Sequence, residues 1–165
     1  MGQLIVAFTG HRPNKLSRRG YGDTVTEEFI QEALEDLLGW VKPNGAITGM
    51  AQGVDQIATA ACIKLRIPFT AAVPFRGQES IWPQAAQARY HQLLQHAEKI
   101  VYTNESYKFS SPSIPDLMQH RNEYLVDNSQ LLIGVFDGTP GGTANCIRYA
   151  QIMDRLIYLL EEWPK

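Results

Sequence analysis

Short apolar runs alternate with amphipathic helical segments along this whole chain, and no internal repeat or low-complexity stretch interrupts the pattern. Leu4–Phe8, Ala46–Thr48, Phe69–Val73, Ile100–Tyr102, Leu131–Phe136 and Leu156–Leu160 have the length and composition of buried strands. Between them apolar residues recur at helical spacing. Val25, Phe29, Ala33 and Leu37 lie on one face of a helix from near Thr24, with Ile30, Leu34, Leu38 and Val41 beside them. Val54, Ile57, Ala58, Ala61 and Leu65 form the inner face of a second helix. Others are expected over Gln84–Ala97, over Asp116–Asn128 and from Thr143, where Ile147, Ala150 and Met153 keep the spacing. Thr24 and Glu27 fit a capping box at the first helix. The alternation implies an α/β fold, a mostly parallel sheet with helices on both faces. At 165 residues, 1–165 reads as one domain.

In such a sheet, ligands bind outside the carboxyl ends of the strands, where strand order reverses. Four loops of unusual chemistry leave those ends. The last is the sharpest: an apolar strand, a glycine-rich turn from Asp137 through Gly138, Gly141 and Gly142, then Thr143 opening a helix. Glycines let a phosphate approach the backbone, and the unpaired amides of the helix N-terminus point at it. The first loop, Thr9-Gly10-His11-Arg12-Pro13, offers an arginine able to fork onto phosphate and a histidine as a possible acid; it also reads as a solvated turn. In the second, Gly49 to Gly53 and Asp55, the carboxylate either accepts from a ribose hydroxyl pair or caps a helix. In the third, Phe75 and Trp82 either stack on a base, with Gln78 reading its edge, or simply pack.

Arg121 shares a helix face with Leu117, Met118, Tyr124 and Leu125. A guanidinium on an apolar stripe must find an anion or reach solvent. Its partner is either an internal carboxylate, Asp127 or Asp137, or a ligand phosphate.

Composition excludes several classes. Seventeen acidic residues against fifteen basic ones give a net charge of −2, with no broad footprint for duplex nucleic acid. A local cluster at Arg12, Lys15, Arg18 and Arg19 remains, but without a regular aromatic platform. Nucleic acid is therefore disfavoured as a partner. Cys62 and Cys146 have neither metal-ligand nor disulfide spacing, so no metal or cofactor is expected and a reducing cytoplasm is. No apolar run reaches membrane-spanning length, so no membrane partner is expected.

Thr-Gly-His-Arg-Pro after the first strand, Gly-Met-Ala-Gln-Gly-Val-Asp after the second, and Arg-Asn-Glu-Tyr-Leu-Val-Asp-Asn-Ser before Asp-Gly-Thr-Pro-Gly-Gly-Thr together resemble the YpsA-like branch of the SLOG superfamily. That group also includes the LOG phosphoribohydrolases and DNA-processing protein A. The resemblance spans about residues 4–150 and implies a Rossmann-like domain that binds a nucleotide-type small molecule, often as a homo-oligomer. Members either cleave the N-glycosidic bond of a nucleoside monophosphate or sense nucleotide-derived signals such as ADP-ribose relatives.

Met118-Gln119-His120-Arg121-Asn122 resembles the LOG motif Met-His-x-Arg-Lys, with Asn122 replacing its lysine. Pro140-Gly141-Gly142-Thr143 resembles the LOG phosphate loop, shortened by two residues. Cys146 stands where that loop's catalytic glutamate belongs, and no glutamate occurs between Glu123 and Glu161. Glycosidic cleavage needs a carboxylate. The candidates to replace it are Asp137, Asp55 and Glu79, with Arg121 as the catalytic arginine. Binding or sensing is the leading expectation, and N-glycosidase activity the alternative.

Overall fold

The computed structural model describes residues 2–165. Six strands, β1 (Ile5–Gly10), β2 (Gly45–Thr48), β3 (Phe69–Val73), β4 (Lys99–Tyr102), β5 (Leu131–Val135) and β6 (Leu156–Leu160), form one sheet in the order β4-β3-β2-β1-β5-β6. Every pairing is parallel, with Val6 opposite Leu131 and Ala46 opposite Phe69. The strand order reverses between β1 and β5.

Strand alternation sends neighbouring side chains to opposite cores. Val6, Phe8, Ile133 and Val135 pack under α2 (Thr24–Val41), α3 (Val54–Lys64) and α4 (Gln84–Leu94). Ala7 and Leu132 face α5 (Ile114–Asp127) and α6 (Gly142–Ile152). Burial of each large side chain here contributes roughly 1.5–3 kcal/mol. The expected α/β architecture with helices on both faces is the one observed.

Several boundaries differ from expectation, for local reasons. β1 continues past the expected Phe8 to Gly10, and a one-turn helix, α1 (Pro13–Leu16), follows the first loop. The cap of α2 is Asp23, whose carboxylate accepts from the Thr26 N–H; Thr24 lies inside the helix and Glu27 instead pairs with Arg89 at 3.1 Å. The buried face of α2 is Thr26, Ile30, Leu34 and Leu38, which leaves Val25 and Phe29 exposed. The capping box lies on α5, where Ser113 and Asp116 bond each other's backbone N–H and start the helix two residues before the expected Asp116.

Gly10 is required at the end of β1 because a Cβ there would overlap the Val54 side chain at the start of α3. Val54 is fully buried and cannot retreat. Gly10→Ala should destabilise the protein by about 1–3 kcal/mol through overpacking. In urea unfolding, pairing it with Val54→Ala should give a smaller total loss than the two single losses added.

Candidate functional site

The reversal between β1 and β5 opens a cavity of about 360 Å³ at the carboxyl ends of the strands. Its wall draws on the β1 loop (Gly10, His11, Arg12), α1 (Lys15), the β2 loop (Ala51, Asp55), α5 (Met118, Arg121, Asn122) and the start of α6 (Gly142, Thr143). That size suits a small ligand.

The first two loops meet backbone to backbone. Val54 N–H donates to the His11 carbonyl at 3.2 Å. Gly53 adopts φ +93°, and a Cβ there would strike that same carbonyl. Met50 also takes a left-handed backbone, φ 62°, and beyond it the Ala51 N–H donates to Asp55 Oδ2 at 3.2 Å.

Arg121 is 5% exposed. Its Nη1 donates to the Gly49 carbonyl at 2.6 Å and lies 3.8 Å from Asp55 Oδ2, while its Nε donates to Asn122 Oδ1 at 3.3 Å. The internal carboxylate is therefore Asp55, not Asp127 or Asp137. Asp127 accepts from the Tyr149 hydroxyl and Asp137 is held by His11 and Lys165, so neither is available. Gly49 makes room for this pair, since a Cβ would overlap the guanidinium. Burial pushes the Asp55 carboxyl above the usual range, against the pull of Arg121, the Ala51 N–H and Arg12. Arg12, Lys15 and Arg121 face one lining carboxylate, so the cavity favours an anion.

The phosphate-loop candidates lie on this edge. Gly142 and Thr143 line the cavity, and a Cβ on Gly142 would project into open space. Gly138 and Gly141 take positive φ (91° and 145°) and shape the turn. Lys15 Nζ donates to the Pro140 carbonyl at 2.8 Å, bridging this loop to α1. Asn122 Nδ2 donates to the Gly142 carbonyl at 3.4 Å. Beside them His11 Nε2 and Asp137 Oδ1 are 2.7 Å apart. Burial lowers the His11 pKa although Asp137 opposes it. Asp137 is held well below the usual carboxylate range, first by the Thr139 hydroxyl and then by Lys165, the Thr139 N–H and His11, in spite of partial burial.

The third loop does not reach this cavity. Gln78 and Trp82 lie beside α4 past the end of β3, two strands from the reversal, and Trp82 packs edge-on against Tyr90 at 5.6 Å. The packing alternative for Trp82 is the one observed, and Gln78 is buried with it. Glu79 sits 3.4 Å from His91, also away from the cavity. Cys146 is fully buried, and burial pushes its thiol up to about 11, so it supplies neither carboxylate nor thiolate. The sequence reading missed Trp163 and Lys165. Trp163 Nε1 donates to the Leu16 carbonyl at 2.8 Å, and Lys165 Nζ donates to Asp137 Oδ2 at 3.0 Å. No short-range pattern announces such contacts.

A parallel sheet with helices on both faces and a cavity at its strand-order reversal defines a Rossmann-like fold. The chain belongs to the YspA SLOG family, whose YpsA model matches residues 6–155. It is 33% identical over 137 residues to an uncharacterized SPbeta prophage-derived protein, YoqJ, of Bacillus subtilis, covering 76% of this chain and 80% of that one. Among solved structures, DNA processing protein A from Helicobacter pylori, described for its single-stranded DNA binding mode, superposes with a TM-score of 0.66 at 18% identity. The match covers 97% of this chain and 66% of that one, so this chain spans just under two thirds of that protein. The molybdenum cofactor binding protein of Rippkaea orientalis matches with a TM-score of 0.60 at 16% identity, covering 98% of this chain and 78% of that one. Among the described residues, no helix is long and apolar enough to cross a membrane.

The likeness to DNA processing protein A overturns the expectation that nucleic acid is disfavoured as a partner. A net charge of −2 is a whole-chain quantity, whereas a phosphate backbone responds to local groups within a Debye length, about 10 Å.

Two outcomes follow from the charges of Asp55 and Asp137. Arg121→Ala leaves Asp55 buried without its nearest cation, and chemical denaturation should show a loss of about 3–5 kcal/mol. Adding Asp55→Asn should recover part of it. For Asp137, a depressed folded-state pKa means that its ionised form stabilises the fold above the ordinary aspartate value of 3.8. That contribution disappears as pH falls through the lower folded value. The stability gap between wild type and Asp137→Asn should be full at neutral pH and close progressively in acid.

Proposed function

We propose that this protein binds a phosphate-bearing nucleotide or nucleotide-derived small molecule in the cavity between β1 and β5, and that it binds or senses this ligand rather than cleaving it. The observation that carries the reading is the pairing of an open helix N-terminus at Gly142 and Thr143 with Arg12, Lys15 and Arg121 around one cavity. Thr143 and the first amides of α6 would take the phosphate, with Arg12 as the exposed cation and Arg121 as the buried one. Asp55 and Asn122 would meet the sugar. The molybdenum cofactor and single-stranded DNA named for the two fold relatives are both phosphate-bearing, which is consistent with this choice of chemistry. Cys62 and Cys146, both free and buried, accord with a reducing cytoplasm.

Single-stranded DNA is a ligand of the same chemistry. The cluster running from Arg12 through Lys15 to Arg18 and Arg19 leads away from the cavity mouth and would follow a backbone. N-glycosidic hydrolysis is favoured by one observation, the Asp55 carboxyl lining the cavity beside Arg121 with a raised pKa. Against it, Asp55 Oδ2 is committed to the Ala51 N–H and to Arg121, and the remaining oxygen, Oδ1, is the atom that would accept from the sugar.

Calorimetry with nucleoside mono- and diphosphates, ADP-ribose and a 5′-phosphorylated oligonucleotide tests the reading. At least one mononucleotide-type ligand should bind, and folded Gly142→Val should lose it, because the side chain fills the phosphate position. Unchanged affinity in that variant overturns the site. Binding by the oligonucleotide alone favours the DNA reading. Free base released from a nucleoside monophosphate, and lost in Asp55→Asn, favours the hydrolase.

A further inference from the structure

β6 ends the sheet without any of the devices that guard an edge strand. Leu156-Ile157-Tyr158-Leu159-Leu160 contains no proline and no charge, and Leu156 and Tyr158 are 70% and 48% exposed. The opposite edge, β4, is entered through Glu98 and begins at Lys99. Ile152 and Met153, at the end of α6 just before the turn into β6, are exposed as well, so apolar surface continues around the edge. An apolar, unblunted edge is a template for another strand.

Backbone direction fixes what that strand would meet. The Leu160 carbonyl accepts from Phe136 N–H at 3.0 Å on the β5 side. By strand alternation, Leu156, Tyr158 and Leu160 turn their backbone groups towards β5, while Ile157 and Leu159 turn theirs outward. Among the described residues, β5 is the only sheet neighbour of β6.

We propose that β6 pairs antiparallel with β6 of a second copy of this chain, about a two-fold axis at Tyr158, so that one sheet runs through a homodimer. In this register Ile157 and the partner's Leu159 exchange N–H and C=O. Tyr158 meets the partner's Tyr158 at the non-hydrogen-bonded position, where side chains come closest. Leu156 faces the partner's Leu160. One position beyond the strand's two ends, Arg155 comes opposite the partner's Glu161.

The charges select this occupant. Arg155 and Glu161 bracket the strand with opposite signs, so two-fold antiparallel pairing unites them twice, whereas parallel pairing in register would set like against like. Glu161 is exposed and enters no ion pair among the described residues. Arg155 commits Nε to the Val126 carbonyl at 3.0 Å, which steadies the side chain and leaves its terminal nitrogens for the carboxylate. A shift of register by two residues breaks both charge pairs and uncovers a leucine on each copy. The pairing is independent of which ligand fills the cavity.

Sedimentation equilibrium decides the matter. Wild type should give the mass of two 18.5 kDa chains. Tyr158→Lys and Leu156→Lys, both at exposed positions and each checked for folding by circular dichroism, should give the mass of one. Glu161→Lys should weaken the dimer about tenfold by reversing two rim pairs, and adding Arg155→Glu should restore it. Phe29→Lys, on the exposed flank of α2, should leave the dimer intact. A monomeric wild type, a dimeric Leu156→Lys or a monomeric Phe29→Lys overturns the proposal; the last would move the interface to α2.

Discussion

The end of β1 and the start of α3 approach each other more closely than any side chain allows, and the geometry of the cavity follows from that contact. Gly10 leaves space for Val54, Gly53 passes against the His11 carbonyl, and the Val54 N–H bonds it at 3.2 Å. Once the two backbones are in register, α3 must begin beside the β1 loop, so Asp55 in its first turn faces the reversal. His11 is then directed to Asp137 on the loop after β5, which ties three of the four strand-end loops together. The close approach costs conformational entropy at each glycine. Burial of Val54, Phe8 and Ile57 beneath it, each almost free of solvent, offsets that cost.

Charge follows from the same packing. With Gly49 lacking a side chain, Arg121 reaches across from α5 to the Gly49 carbonyl and to Asp55. A buried pair of this kind is a weak source of net stability, because desolvation consumes much of the Coulomb attraction. Its effect here is positional: it holds a guanidinium at the floor of a cavity whose other cations, Arg12 and Lys15, are exposed. The site is thus cationic within a protein that is slightly acidic overall.

Periodicity made the strands and the longer helices legible, since burial on two faces of a parallel sheet leaves plain apolar runs such as Leu131–Val135. The loops at Gly10 and Gly142 were legible too, because their glycines and basic residues sit at strand ends. What sequence could not supply was strand order. Whether a loop belongs to the cavity depends on which strands flank the reversal, a non-local fact, and Trp82 lies two strands too far away. The partner of Arg121 was missed for a similar reason. Asp127 and Asp137 are nearer in sequence, but Asp55 is brought to it through Gly49, 72 positions away. Trp163 closes on Leu16 across 147 positions with no signal at either end.

The place of the missing glutamate bears on chemistry as well as on kinship. Cys146 lies beneath the cavity with its thiol pushed up to about 11, so at neutral pH it is an uncharged packing group. The one carboxylate on the cavity wall, Asp55, stands in a different relation to its surroundings from a working general base. It is buried, already bonded, and paired with the arginine that a substrate phosphate would also want. Water activation through Oδ1 would have to proceed while Arg121 turned to the phosphate, which leaves a buried carboxylate short of its partner cation at the moment of reaction. Binding alone makes no such demand. In the proposed reading, a phosphate held by Arg12, Lys15 and the amides at Gly142 and Thr143, with Arg121 adding its charge from the cavity floor, leaves the contacts on Asp55 Oδ2 in place.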